Sequence, residues 1–286
     1  MVSIKRIIIL VMVFVLPLLS GTASGAGPVP STAPYILGVP PRGTDSAQRK
    51  IYDPIARYLS QVLGKPVVFK PAGSWGVYQG LMTQGYYDLD IDGPQFTGWR
   101  VQHLHYTVLV RAGGHLTMAI IVRAHSAVQK LSELAGETAC ASAPPWLGTL
   151  VLQSLFGAAR QPYIVEVNGL PRIYHALLAR KCTMAALPMQ FLRAQPDAAS
   201  RVRVVYQYTS MPNVALSAGP RISAAGRKKI TQAVLAPQSD VAFRMFENKY
   251  MHGKPWLPAT DQQYALYGLL LQNQFGFGFG LDTASR

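Results

Sequence analysis

Two stretches of this chain alternate short apolar strands with helical segments, and this alternation constrains the fold more than any other feature. The first series runs through residues 35–92, and the second runs through residues 138–188. Strand–helix repeats with short loops favour a parallel sheet that is covered by helices. Long apolar, β-branched runs at 106–110 and 115–122 separate the two series. The sequence therefore predicts an α/β protein of two lobes, each a mostly parallel sheet flanked by helices.

The chain must cross between two such lobes more than once, so two crossing strands are expected to form a hinge. We assign residues 34–112 together with residues 214–286 to lobe one. Residues 120–210 are assigned to lobe two. This assignment excludes a single continuous sheet and also excludes two domains that are joined by one linker.

The segment from Asp88 to Phe96 joins the third strand of the first series to the next helix. Its three aspartates lie on one face of the strand, and the leucine and isoleucine between them lie on the other. A Gly-Pro pair then breaks the strand, and a helix can begin at Gln95. Open α/β sheets bind ligands at this edge, so Asp92 and Gln95 are candidate ligand contacts. A plain strand-to-helix turn is the alternative.

Similar junctions recur after other strands, and this recurrence indicates a cleft lined by the ends of strands. The helix N-termini at such junctions present free N–H groups and a positive partial charge. Taken singly, each residue is also explained as a loop or helix-capping residue. The candidate ligand-binding residues are Arg42, Ser74, Trp75, Asp92, Gly93, Pro94, Gln95, Phe96, Ser142, Trp146, Thr149 and Gln190.

The N-terminus has the pattern of a secretory signal peptide. Lys5 and Arg6 precede an apolar run from Ile7 to Leu19, and small residues follow as far as Ala26. The apolar run is shorter than the ~20 residues that a transmembrane helix needs. We therefore expect residues 1–26 to be cleaved on export, with an uncleaved anchor as the alternative.

The chain is strongly basic, with a formal net charge of +14 at pH 7. Removal of Lys5 and Arg6 with the signal peptide takes 2 from 14 and leaves +12. This excess favours anionic ligands or an anionic surface. The basic residues are scattered and no nucleic-acid-binding motif is present, so we expect no nucleic-acid partner.

The chain contains two cysteines, Cys140 and Cys182. An even number of cysteines in an exported protein favours one disulfide. Each cysteine lies at or beside a predicted strand of lobe two, and those strands can be neighbours in the sheet. Two buried free thiols are the alternative, and two cysteines alone cannot build a structural zinc site.

Motifs of catalysis and metal binding are missing from the sequence. It has no G-x-S-x-G, no H-E-x-x-H and no P-loop. The acidic strand at Asp88, Asp90 and Asp92 could attract a cation, but it lacks the spacing of a calcium loop. We therefore expect a binding protein rather than an enzyme, with neither a metal site nor a cofactor.

Several segments, taken in order, resemble the phosphate/phosphite/phosphonate substrate-binding proteins of ABC transporters. The segments that carry this resemblance are Gly38–Pro40, 59–64, 85–94, Leu131–Gly136 and Pro212–Asn213. The resemblance covers roughly residues 35–250. It implies a two-lobed periplasmic binding protein, in the periplasm, that presents a small-molecule ligand to a membrane permease.

The chain departs from this family's pattern where the ligand is expected. The family usually has a run of Ser and Thr before a Gly, whereas this chain keeps only Ser142 and Thr149 as hydroxyl donors there. Pro188–Gln190 stands where the family often has acidic residues. We therefore expect a small anionic solute, phosphonate-like or another oxyanion, or a zwitterionic one, with an apolar part enclosed by Trp75 and Trp146.

Two questions about partners and the C-terminus stay open at this point. The alternative to transport is a ligand-binding accessory of a membrane sensor kinase, and in either case a monomer is expected. From Ser223 onward the pattern predicts mainly helix, with Trp256 and residues 264–271 in the core. The Phe/Gly repeat at 275–280 is either a frayed end or a strip that docks through its aromatic rings.

Overall fold

The computed structural model describes residues 33–278, and these form strands and helices in the expected alternation. The strands are β1 Tyr35–Gly38, β2 Val67–Phe69, β3 Leu89–Asp92, β4 Thr107–Ala112, β5 His115–Leu116, β6 Met118–Arg123, β7 Thr138–Ala141, β8 Tyr163–Glu166, β9 Met184–Pro188, β10 Val202–Gln207, β11 Met211–Pro212, β12 Ala215–Ala218 and β13 Trp256–Pro258. The α-helices are α1 Asp45–Leu63, α2 Trp75–Thr83, α3 Pro94–Leu104, α4 Leu147–Ser154, α5 Leu170–Leu178, α6 Met189–Arg193, α7 Ala198–Arg201, α8 Ala224–Leu235 and α9 Asp240–Phe246.

Shorter helical turns complete the described chain. They are 3₁₀ helices at Leu131–Leu134, Ala158–Arg160, Pro237–Ser239, Asp261–Gln263 and Ala265–Leu271, and a π-helix at Glu247–Met251. The predicted signal peptide, 1–26, lies outside the described residues. Within residues 33–278, no helix is both long and apolar enough to cross a membrane.

The sheet of lobe one has six strands in the order β13-β4-β12-β3-β1-β2. The pairs β1–β2 and β1–β3 are parallel, while β12 runs antiparallel to both β3 and β4. Parallel pairing is therefore confined to the half of the sheet built from the first β-α-β-α-β series. In the other half, β4 leads towards lobe two, and β12 and β13 belong to the chain that returns from it.

The sheet of lobe two has five strands in the order β10-β6-β9-β7-β8. Its β7–β8 and β7–β9 pairs are parallel, and β6 is antiparallel to both of its neighbours. Both sheets are thus mixed, with one parallel half each. Strands β5 and β11 pair antiparallel outside both sheets, as the two crossing strands of a hinge should. The lobe limits given above stay predictions.

Local sequence explains where helices α1, α2 and α3 begin. Thr44 caps α1 by accepting a hydrogen bond from the Ala47 N–H, and Ser74 caps α2 through the Val77 N–H. The ring of Pro94 occupies the first turn of α3, where its missing N–H costs nothing. Helix α1 continues through Pro54 as one helix.

The disulfide between Cys140 and Cys182 is present, with the two Cα atoms 5.6 Å apart. Cys140 lies on β7, and Cys182 lies two residues before β9, the parallel neighbour of β7. Both cysteines are buried in one of the two core clusters of lobe two. The pairing predicted from the cysteine count is confirmed.

The C-terminal segment packs across both lobes. Leu271 and Phe277 are buried in a cluster with Phe96 of α3 and Leu150 of α4. Trp99 Nε1 donates a hydrogen bond to the Phe277 carbonyl at 3.3 Å. Phe275, by contrast, is almost fully exposed, at 98%. The Phe/Gly repeat therefore docks through Phe277, and its residues 279–280 lie outside the described chain.

Candidate functional site

A cleft of about 370 Å³ opens beside the hinge strands, between the two lobes. Gln190 and Arg193 of α6 line it from lobe two, and Lys254, just before β13, lines it from lobe one. The full lining consists of Gly113, Gly114, His115, Leu116, Thr117, Met189, Gln190, Arg193, Gln207, Asn213, Met251 and Lys254. This lining contains two permanent cations and no carboxylate. Of the predicted residues, only Gln190 is in it.

The predicted ligand contact Asp92 is held in a buried network of lobe one. Its Oδ1 accepts a hydrogen bond from Thr97 at 2.9 Å, and its Oδ2 accepts hydrogen bonds from Tyr78 and from Arg100. All four side chains are fully or almost fully buried. Both oxygens of Asp92 therefore have donors from lobe one itself.

The neighbouring aspartates also have structural partners. Asp90 forms an ion pair with Arg100 at 2.9 Å, with both side chains completely buried. Burial raises the pKa of Asp90 well above its usual range, although Arg100 opposes the shift. Asp88 accepts a hydrogen bond from the Ile36 N–H at 2.8 Å and pairs with Arg221 at 3.1 Å. No cluster of three or more potential metal ligands occurs within residues 33–278.

The N-terminus of α3 is covered by lobe two. Gly93, Pro94 and Gln95 are buried, and Gln95 Nε2 donates to the Pro145 carbonyl across the lobes at 3.4 Å. Phe96 is in the buried aromatic cluster, where Trp75 stacks on it with the ring centres 6.0 Å apart. These predicted residues form an interlobe contact.

The predicted residues of lobe two make contacts within their own loop. Ser142 Oγ donates to the Val167 carbonyl at 3.2 Å, and Thr149 Oγ1 donates to the Ser142 carbonyl. The half-buried Trp146 ring lies against Gly148, where a Cβ would be 2.0 Å from the ring. Trp146 packs on the core of lobe two and Trp75 packs on that of lobe one. A ligand enclosed by both tryptophans stays a prediction.

Arg42 is beside two tyrosines that sequence reasoning did not select. Its guanidinium carbon lies 5.3 Å from the centre of the Tyr250 ring, and it acts electrostatically on Tyr52 of α1. Tyr52 is completely buried, and the two tyrosine hydroxyls have no hydrogen-bond partner in the described chain apart from each other. In the sequence, Tyr52 lies within the apolar stripe of a helix, a position typical of a core residue.

The twelve predicted residues therefore divide into five places. Arg42 is on the loop of lobe one that follows β1, and Gln190 lines the hinge cleft. The remaining residues lie in the buried network of lobe one, at the contact between α3 and α4, or at the helix start of α2. The cleft lining from the hinge and from Lys254 was missed, because glycine-rich crossings and exposed lysines carry no distinctive sequence pattern.

Solved structures share this two-lobed fold at low sequence identity. XAC2383 from Xanthomonas citri, solved bound to ATP, has a TM-score of 0.68 at 13% identity, covering 83% of this chain and 96% of that one. PhnD1 from Prochlorococcus marinus, solved with methylphosphonate, has a TM-score of 0.63 at 13% identity, covering 84% and 98%. A component of an ABC phosphonate transporter from Pseudomonas aeruginosa, PA3383, gives 0.59 at 12% identity, covering 82% and 84%.

Sequence comparison gives a family but no characterised relative. No curated protein matches the chain significantly. The model of the ABC transporter phosphonate periplasmic substrate-binding proteins matches residues 37–264. Because this match spans most of the chain, including both sheets and the hinge strands, the chain belongs to the phosphonate family of periplasmic substrate-binding proteins of ABC transporters.

Proposed function

We propose that this chain captures a small anionic solute of phosphonate type in the hinge cleft and delivers it to a membrane permease. Its family consists of substrate-binding transport proteins rather than enzymes. The chain acts in the periplasm after loss of the predicted signal peptide, 1–26. The observation that carries the proposal is the charge of the cleft, which both lobes contribute.

Arg193 and Lys254 give the cleft its positive potential. Neither side chain forms an ion pair with any described residue, and no carboxylate lines the cleft. Gln190, Asn213 and His115 add polar groups that can orient a bound oxyanion. A cation on each lobe lets an anion bridge them, which favours the closed arrangement when the solute is bound.

A binding panel tests the proposed solute class directly. The purified mature protein is titrated with methylphosphonate, phosphite, phosphate, a sulfonate, a carboxylate and a neutral amide. A phosphonate at 100 times its Kd should stabilise the protein by ~2.7 kcal/mol, which raises Tm by roughly 5 to 10 °C. Binding of the neutral solute alone would contradict the proposal.

Two cations at opposite ends of β9 provide a matched control for the location. Arg193 follows β9 and lines the cleft, whereas Lys181 precedes β9 and is exposed at the other end of the strand. Arg193→Gln and Lys254→Gln should each weaken methylphosphonate binding about tenfold. Lys181→Gln should leave it unchanged. Equal effects of Arg193→Gln and Lys181→Gln would place the site elsewhere.

Transport is preferred to sensing because the family is one of transporter components. Gene order discriminates between the two roles. Adjacent genes for a permease and an ATPase are expected, whereas an adjacent gene for a membrane sensor kinase, with no permease, would favour the sensor alternative.

A further inference from the structure

A cluster of donor groups without acceptors lies on lobe one, at the carboxyl end of β1. Arg42 is on the loop after β1, Tyr52 is on α1, and Tyr250 is on the π-helix that follows α9. Met251, the next residue after Tyr250, lines the hinge cleft. The cluster is thus next in the sequence to a residue of the cleft lining.

Polar side chains of this cluster are buried and lack the hydrogen bonds that buried polar groups in folded proteins normally make. Tyr52 is 0% exposed and Gln48, one helical turn earlier, is 1% exposed. The Oε1 of Gln48 is buried without a hydrogen-bond partner in the described chain, and the hydroxyls of Tyr52 and Tyr250 have none apart from each other. Buried polar groups are paired in the large majority of cases, so such a concentration needs an explanation.

The positive charge of the cluster indicates that the missing partner is an anion. The guanidinium of Arg42 and the ammonium of Lys249 both lie over the Tyr250 ring, 5.3 and 5.4 Å from its centre. Arg42 makes no hydrogen bond or ion pair with any described residue. Asp92 also acts electrostatically on Tyr52, but both of its oxygens already accept hydrogen bonds from lobe one.

We propose that Arg42, Tyr52 and Tyr250 form the subsite that binds the oxyanion head of the solute. This inference rests on the proposed function and specifies which wall of the site recognises the head group. Three donors suit an oxygen-rich tetrahedral head, as in a phosphonate or a phosphate, better than they suit a carboxylate with two oxygens. The unpaired Gln48 Oε1 is the one acceptor, and it suits a head group that keeps one proton.

The alternative is that these hydroxyls are merely unsatisfied core groups. The two explanations differ in ligand binding, because in both of them removing a hydroxyl that has no outside partner should not destabilise the free protein. The position of the loop after β1 does not depend on the tyrosine hydroxyls, because Gln48 Nε2 donates a hydrogen bond to the Gly43 carbonyl of that loop at 3.5 Å. Phenylalanine at position 52 or 250 therefore removes one donor and keeps the ring packing.

Isothermal titration with methylphosphonate and with inorganic phosphate tests the subsite in the mature protein. Tyr52→Phe and Tyr250→Phe should each raise Kd about tenfold or more while the unfolding midpoint of the free protein stays equal or rises. Tyr58→Phe is the matched control on α1, because the Tyr58 hydroxyl is paired with the Ala233 carbonyl at 2.9 Å and lies outside the cluster. Its Kd should not change.

Arg42→Gln supplies a variant whose folding is not at issue, since Arg42 has no hydrogen bond to lose in the described chain. It should raise Kd by at least as much as the tyrosine variants. If the wild type binds methylphosphonate and all three variants bind it within twofold, the subsite is wrong and the proposed function stands. If the wild type binds neither anion, the proposed function fails and the subsite fails with it.

Discussion

Two polar clusters at the cleft edge of lobe one, around Asp92 and around Tyr52, differ in their hydrogen bonding. Both oxygens of Asp92 accept hydrogen bonds from Thr97, Tyr78 or Arg100, and Asp90 forms a buried ion pair with Arg100. Around Tyr52, the hydroxyl has no partner other than the Tyr250 hydroxyl, and the neighbouring Gln48 oxygen has none in the described chain. Both clusters are near the carboxyl ends of adjacent parallel strands.

This difference in hydrogen bonding distinguishes polar groups that are paired within the fold from polar groups that are available to a ligand. A buried charge that is fully paired stabilises the fold only while every partner stays in place. An unpaired donor costs folding free energy, and a ligand can recover that cost on binding. We therefore assign the Asp92 network to the architecture of lobe one and the Tyr52 cluster to recognition.

The largest effect should follow from breaking the paired cluster. Arg100→Met leaves Asp90 and Asp92 buried without their cation, and it should cost about 3–5 kcal/mol in the free energy of unfolding. Urea unfolding measures this loss. Arg201→Met is the control, because its ion pair with Asp197 is half exposed, and it should cost at most about 1 kcal/mol. Equal losses in both variants would show that the buried network does not hold lobe one together.

The disulfide tests whether stability and recognition can be separated. Cys140 and Cys182 are 42 residues apart in the sequence and belong to lobe two. Replacing both by Ala should lower stability by ~4 kcal/mol, because the unfolded chain regains the entropy of the closed loop. Methylphosphonate affinity at a temperature where the variant is folded should stay unchanged. A large loss of affinity would mean that the fold and the site are not independent.

A smaller effect concerns pH and Asp90. Burial raises the pKa of folded Asp90 above that of the unfolded chain, so the folded state holds its proton to higher pH. Stability is therefore lost as pH rises through the range between the two pKa values. Asp90→Asn removes this loss, so its stability relative to the wild type should grow as pH rises above about 4, the pKa of an unfolded Asp. A difference that is constant with pH would contradict the shift.

Much of the architecture is predictable because the spacing of apolar residues, and the residues that begin and end helices and strands, are local properties of the sequence. The strand–helix series, the Ser74 cap and the cysteine pair all depend on near neighbours or on residue counts. The three-residue strand β13 was missed within a region expected to be mainly helical. It is too short to show an alternating pattern, and Pro258 ends it.

The site was less predictable because hydrogen-bond partners come from distant parts of the chain. Position at the strand end made Asp92 a ligand candidate, but Arg100, eight residues later on α3, pairs with it. Tyr52 has the sequence pattern of a core residue. Tyr250 is far from it in the sequence and comes close to it only in the folded protein. Whether a polar group is paired depends on such long-range contacts, which no local pattern contains.

A matched pair of Tyr→Phe variants tests the central claim most directly. Tyr78 and Tyr52 are both 0% exposed and lie at the same edge of lobe one, but Tyr78 bonds to Asp92 and Arg100, whereas the Tyr52 hydroxyl has no partner other than the Tyr250 hydroxyl. The measurement is the urea unfolding free energy of each ligand-free variant, together with its Kd for methylphosphonate. Tyr78→Phe should lose about 1–3 kcal/mol of stability and keep its affinity, whereas Tyr52→Phe should keep its stability and lose about tenfold in affinity. Equal behaviour of the two variants, in stability and in affinity, would contradict the division between a structural and a recognising cluster.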